Sequence, residues 1–211
     1  MIHELRTYTF YGGKLPAYLK LAEEVGRPIR GNDYGTNLGY WTPEFGALNQ
    51  IWHLWQYEDL GERAASRAKL AQNQAWRNDY VANIQGLIQK QEIRFLNPVV
   101  EFKPPAGTGN VYELRHYRAK TGRAAAWLER FKAVMPAREK YSPNVCIWAG
   151  EAPHPNNILH LWAYGDLKQR ADIRAEAGKD PEWRAFLATA GEDLMAMSSI
   201  VLTPTTYSPL Q

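Results

Sequence analysis

A segment near the start of the chain returns, little altered, about half a chain later, and this duplication restricts the possible folds more than any local propensity does. Glu4-Leu5-Arg6-Thr7-Tyr8 recurs as Glu113-Leu114-Arg115-His116-Tyr117, an offset of 113 − 4 = 109, and Gly13 meets Gly122 at the same offset. Pro28 and Arg30 meet Pro136 and Arg138 at 136 − 28 = 108. His53 to Leu60 meets His160 to Leu167 at 160 − 53 = 107, and Arg63, Arg67 and Trp76 continue at that offset to Arg170, Arg174 and Trp183. An offset that shrinks by single residues between collinear blocks is what loop deletions in two copies of one fold would produce. The copies span residues 2–98 and 111–209, with a linker at 99–110 whose Lys103-Pro104-Pro105-Ala106-Gly107-Thr108-Gly109-Asn110 carries Pro/Gly punctuation.

Within each copy the hydrophobic period alternates between strand and helix. His3 to Thr9 alternates as a half-buried strand, and Leu15, Tyr18, Leu19, Leu21 and Ala22 follow helical spacing. Asn37 to Thr42 and Asn49 to Tyr57 form an aromatic, β-branched strand pair around Pro43-Glu44-Phe45-Gly46. Asp59 with Glu62, and Asp166 with Gln169, have the spacing of a helix-start capping box, and Asp180-Pro181 marks a further start. Glu92 to Leu96 and Ser199 to Thr203 close the copies as strands. The order β-α-β-β-α-β, twice, predicts an α+β chain of two tandem ferredoxin-like repeats. Each sheet keeps a partly apolar second face, which the sheet of the other copy can cover.

Strand alternation puts Glu4, Arg6 and Tyr8 on one face of the first strand, and His53, Trp55 and Tyr57 on one face of the third. Copy two repeats this with Glu113, Arg115, Tyr117, His160, Trp162 and Tyr164. If the leucines of the opposite faces lie against the helices, these twelve side chains point into the space between the two sheets. Burying them costs several kcal/mol unless they find partners, water or a ligand. His53 and His160 are the candidate catalytic acid/base residues or ligands, since imidazole titrates near neutral pH; the alternative is a histidine held in a satisfied internal network. Arg6 and Arg115 suit an anionic ligand, or simply pair with Glu4 and Glu113. Tyr8, Trp55, Tyr57 and their counterparts either line a pocket for a flat ligand or fill the core. Asp59, Arg63 and Arg67 share one helix face, as do Asp166, Arg170 and Arg174, and read as structural: a capping Asp with Arg pairing to it or to a loop.

Composition removes several classes. With 25 Lys and Arg against 22 Asp and Glu the net charge is +3, too mild a field for a nucleic-acid or anionic-membrane binder. No RNP1-type run supports an RNA-binding sheet, and no apolar stretch approaches membrane-helix length. The start of the chain has charge where a signal peptide needs an apolar run, so a cytoplasmic setting is expected. The one cysteine, Cys146, forms no intrachain disulfide, lies in a predicted strand and reads as packing, and no Cys/His spacing suggests zinc. No cofactor is expected; haem, with His160 as proximal ligand, stays open without an attachment motif. Self-association also stays open.

Glu4-Leu5-Arg6-Thr7-Tyr8, Gly39-Tyr40-Trp41-Thr42, Asn49-Gln50-Ile51 leading into His53-Leu54-Trp55-Gln56-Tyr57, and Asp59-Leu60-Gly61-Glu62-Arg63 with Arg67 and Trp76 resemble the NIPSNAP family of the dimeric α/β-barrel superfamily. The resemblance covers nearly the whole chain as two tandem domains and implies sheets closed into one eight-stranded barrel. Copy two departs at Gly150 to Asn156, in place of the Phe45 to Asn49 turn. The superfamily includes cofactor-independent monooxygenases, haem-binding enzymes and small isomerases, an analogy of fold alone. The expected function is binding of a small anionic or aromatic metabolite between the sheets, with acid/base or cofactor-independent oxidative chemistry on it. The alternative is a non-enzymatic adaptor with a filled barrel and a partner-binding outer surface.

Overall fold

In the computed structural model, which describes residues 1–211, the first copy runs β1 (Ile2–Phe10), α1 (Leu15–Leu21), a π turn (Ala22–Gly26), α2 (Arg27–Arg30), β2 (Thr36–Pro43) and β3 (Gln50–Tyr57). It continues with α3 (Leu60–Gln72), a second π segment (Trp76–Val81), α4 (Ala82–Ile84) and β4 (Ile88–Pro98). The second copy runs β5 (Val111–Ala119), α5 (Ala124–Glu139), β6 (Asn144–Ala152), β7 (Asn157–Tyr164), α6 (Leu167–Ala177), α7 (Pro181–Ala190) and β8 (Leu194–Pro204). Both copies therefore have the expected element order, with the second helical stretch divided in two.

The strands hydrogen-bond in the order β1-β3-β2-β8-β5-β7-β6-β4, a closed barrel, so each copy contains the ferredoxin-like order, β4-β1-β3-β2 and β8-β5-β7-β6. By contact the chain divides into one unit of Met1–Phe95 with Thr203–Gln211, and another of Leu96–Leu202. In the first, the returning C-terminal segment is tied to β2: Thr205 N donates to Tyr40 O at 3.0 Å and Tyr40 N donates to Ser208 Oγ at 3.0 Å. In the second, Val99 N donates to Ile147 O at 2.9 Å and Lys103 N to Val145 O at 2.8 Å, which extends the pairing along β6.

Of the two steps in the shrinking offset, that from 109 to 108 has a different origin from loop deletion, and a further step beyond Trp76 shares that origin. Between Gly13 and Pro28 the first copy has one residue more than its counterpart, and the π turn at Ala22–Gly26 absorbs it inside the helix, where α5 runs on without one. The starts of β4 and β8 stand at 194 − 88 = 106, so a second residue is gained after Trp76, in the π segment Trp76–Val81. An inserted residue that keeps its helix widens it locally, a feature frequent at functional sites. The two segments meet at Gly26: a Cβ there would lie 2.5 Å from the Tyr80 ring.

The two capping Asp residues behave as expected. Asp59 Oδ1 accepts from Glu62 N at 2.8 Å and Asp166 Oδ1 from Gln169 N at 2.6 Å, while Glu62 accepts in return from Glu58 N, one residue before the cap. Asp59→Ala is expected to cost about 1 kcal/mol, read as a lower urea midpoint at unchanged slope. Cys146 is fully buried and its thiol is pushed up to about 12 by burial. No helix is long and apolar enough to cross a membrane.

Candidate functional site

The face carrying Glu4, Arg6 and Tyr8 is the one the unit's own helices cover, and this corrects the sequence expectation that these groups point between the sheets. The Tyr8 ring meets Tyr18 of α1 at 6.3 Å, and Arg63 Nε of α3 donates to Glu4 Oε2 at 2.6 Å. Tyr8, Trp55 and Tyr57 share one core with Tyr18, Tyr80 and Ile84 from the helical segments, whereas Leu5 and Leu54 occupy the opposite face. The second unit repeats the arrangement: Tyr117 packs edge-on against Trp127 of α5 at 5.7 Å, and Arg170 of α6 grips Glu113 with two donors at 2.7 and 3.0 Å. The assumption that leucine belongs under helices fails because these helices bring arginines and aromatic rings, which suit a face of carboxylate, imidazole and phenol better than one of leucine. Arg63 and Arg170 pair with the strand carboxylates, and not with Asp59 and Asp166 as their helical spacing suggested.

Pairing across β1 and β3 sets Arg6 directly opposite His53 and Glu4 opposite Trp55. Arg6 bonds Glu4 through Nη1 and donates from Nε to the Tyr8 hydroxyl at 2.8 Å. Burial alone would raise the Glu4 pKa, but the Arg63 hydrogen bond and the Arg6 charge overcome it and hold the carboxyl below its usual range. Trp55 Nε1 donates to His53 Nδ1 at 2.6 Å. Burial, reinforced by Arg6 and Arg30, pushes the His53 pKa well below the usual value, so the ring is neutral. Because the indole N–H occupies Nδ1, the proton sits on Nε2, which is buried and has no partner. His53 is held by Tyr40, stacked at 4.8 Å, and Tyr8, edge-on at 4.8 Å. Arg30 lies over the Trp55 ring at 3.2 Å and donates to the Tyr57 hydroxyl at 2.9 Å. A cavity of about 460 Å³ opens beside this cluster, lined by Arg6, Tyr8, Arg30, His53 and Arg67 with helix side chains Tyr18, Trp76, Tyr80 and Ile84.

In the second unit Trp162 Nε1 donates to His160 Nδ1 at 2.6 Å, His160 is neutral through burial and the Arg115 charge, and its buried Nε2 is again unpartnered. Its ring lies 5.0 Å from Tyr117 and 4.9 Å from Phe131. Glu113 accepts from Arg170, Arg115 and Ser199, and Arg174 stands 3.7 Å away. Burial opposes these contacts, yet they bring its pKa to about 2. The cavity here is about 290 Å³.

Of the twelve side chains singled out from the sequence, Arg6, Tyr8 and His53 line the first cavity and Arg115, Tyr117, His160 and Trp162 the second. Glu4, Trp55, Tyr57, Glu113 and Tyr164 stand behind the walls as counter-ions and packing. Sequence reasoning missed Arg30 and Arg138 as wall residues, although their place in the duplicated Pro-x-Arg was visible, and it read Arg67 and Arg174 as structural. The helix aromatics Tyr18, Tyr80, Trp127 and Phe131 carry no signal beyond apolar spacing.

A family model described as NIPSNAP matches residues 3–102 and 112–209. Protein NipSnap homolog 3A of Pongo abelii is 31% identical over 216 residues, covering 100% of this chain and 86% of that protein. Protein NipSnap homolog of Dictyostelium discoideum is 29% identical, covering 96% and 87%. Among solved structures, a candidate monooxygenase from Fusobacterium nucleatum is similar in fold with a TM-score of 0.72 at 13% identity, covering 96% of this chain and 91% of that one.

Proposed function

The chain belongs to the NIPSNAP family, and on that footing we propose that it binds small anionic metabolites with an aromatic or apolar body, one in each unit, between the sheet and the helices of that unit. The observation that carries this reading is the pair of buried, unpartnered Nε2–H groups of His53 and His160, each lining a cavity beside arginines. A buried donor without a partner costs roughly 1–3 kcal/mol, which a ligand oxygen would recover. In the first unit one carboxylate, Glu4, stands among Arg6, Arg30, Arg63 and Arg67, so the site carries a cation excess that an anion would offset. Open cavities also favour a ligand over a filled scaffold.

The wall groups are donors: guanidinium, neutral imidazole N–H and phenol hydroxyl. His53 and His160 spend their lone pairs on indole N–H groups, so neither serves as a base in this tautomer. Such a wall supplies no base, so it suits a substrate that arrives already ionised, a carboxylate or a phenolate, whose charge the donors hold.

The test is a titration of the full chain, with ¹⁵N-labelled histidine, against benzoate and phenyl phosphate. Movement of the Nε2–H resonances of His53 or His160, with a rise in thermal stability, is the expected result; at about a hundred times Kd that rise is worth about 2.7 kcal/mol. If neither resonance moves with either anion at millimolar concentration, the reading is wrong. His53→Ala is expected to weaken binding in the first unit by roughly tenfold, the loss of one good hydrogen bond to an anion.

A further inference from the structure

We infer that the two pockets take different ligands: the first unit a polar, doubly charged anion such as a phosphomonoester, the second a flat, apolar monocarboxylate. This rests on the anion-binding reading above and goes further, because the two walls differ at matched positions. At offset 109, Tyr18 is replaced by Trp127 and Ala22 by Phe131; at offset 107, Tyr40 is replaced by Ile147. The ring beside His53 is therefore a phenol on β2, Tyr40, whereas the ring beside His160 is a phenyl on α5, Phe131. The first cavity is walled by the phenols Tyr8, Tyr18, Tyr40 and Tyr80, with Lys90 also on its lining. The second keeps three arginines and Tyr117 but is otherwise walled by Trp127, Phe131, Trp183, Phe186, Leu187 and Met197. Phe131 lies tilted on Trp127 at 4.8 Å and stacks on Phe186 at 5.6 Å, and Trp183 stacks on Phe186 at 5.4 Å, so the rings pack on one another into a continuous aromatic wall on which a flat ligand can lie.

The charge arrangement differs in the same sense. Glu113 is approached by Arg115, Arg170 and Arg174, so the last of these has a carboxylate 3.7 Å away. Glu4 is shared by Arg6 and Arg63 alone, and Arg67, the counterpart of Arg174, lines the cavity half-buried with no ion-pair partner. Arg67 is thus a cation in want of a second negative charge, placed near Arg6 and Arg30. The size difference, about 460 against 290 Å³, accords with the two π insertions, since the second of them supplies Trp76, Tyr80 and Val81 to the lining of the larger cavity.

The indole N–H groups of Trp55 and Trp162, each bonded to the histidine of its own pocket, report the units separately once assigned by Trp55→Phe and Trp162→Phe. The full chain is titrated with phenyl phosphate or with 1-naphthoate and both resonances are followed. Phenyl phosphate is expected to move Trp55 at concentrations roughly tenfold below those that move Trp162, a preference of about 1.4 kcal/mol, and 1-naphthoate to show the reverse order. Arg67→Gln is expected to weaken phenyl phosphate in the first unit by about tenfold and to leave 1-naphthoate at Trp162 unchanged. Any other order of preference, or an Arg67→Gln chain that binds phenyl phosphate as before, overturns the assignment of two ligand classes while anion binding itself stands. If neither probe moves either indole, both readings fall together.

Discussion

Glu113→Ala should destabilise the second unit by about 3–5 kcal/mol, because it leaves Arg115, Arg170 and Arg174 facing one another around an empty site. The carboxylate is 1% exposed, and Ser199 Oγ, which donates to it at 2.6 Å, loses its acceptor as well. For a chain of this size the loss amounts to a fall in melting temperature of roughly 6–20 °C. A fall below about 1 kcal/mol would mean that the cluster behaves as a solvated surface pair, contrary to its burial. Glu113→Gln keeps the shape, removes the charge alone and should lie between the two. The pH dependence carries the sign of a depressed carboxyl. Its folded pKa is about 2 against an ordinary 4.5, so the contribution is fully present above about 4.5 and is lost as pH falls towards 2. That interval corresponds to about 3 kcal/mol, and the advantage of the native chain over Glu113→Gln should shrink by that order across it.

Phe131→Ala is the second large effect. Phe131 is 1% exposed and touches Trp127, Trp183, Phe186 and the His160 ring, so truncation removes a full aromatic side chain from a closed core. Truncations of this kind cost about 3–5 kcal/mol, less where neighbours collapse into the space. The substitution also installs the residue that the first copy has at the matched position, Ala22. With the ring gone from beside His160, 1-naphthoate should lose affinity for the second unit by more than tenfold, read from the Trp162 indole resonance. A chain as stable as the parent would show that Phe131 is not a core residue, and one that binds 1-naphthoate unchanged that it is not a wall of the site.

Much of this was readable in the chain. Glu4-Leu5-Arg6-Thr7-Tyr8 and its copy named the first strand of each half, His53 to Tyr57 the third, and their odd-even rhythm collected Arg6, Tyr8 and His53 on one face. The capping pairs Asp59 with Glu62 and Asp166 with Gln169 set both helix starts, since a cap is a contact between residues three apart. The single-residue steps from 109 to 107 were visible too, but a count of residues does not say whether an insertion enters a loop or a helix; the first of them entered the helix at Ala22–Gly26.

The duplication, the order of elements and the grouping of side chains by face therefore belong to the sequence, because each depends on spacing along one strand or helix. Which face the helices would cover did not, because alternation sorts residues into two sets without saying which set is roofed. That choice depended on what α1, α3, α5 and α6 carried to the sheet: Tyr18, Arg63, Phe131 and Arg170 meet Tyr8, Glu4, His160 and Glu113 across 10 to 59 residues of chain, and only the folded molecule brings them together. The unpartnered Nε2 atoms of His53 and His160 arise in the same way, since Trp55 and Trp162 take the other nitrogen and no protein group brought in by the helices reaches the first.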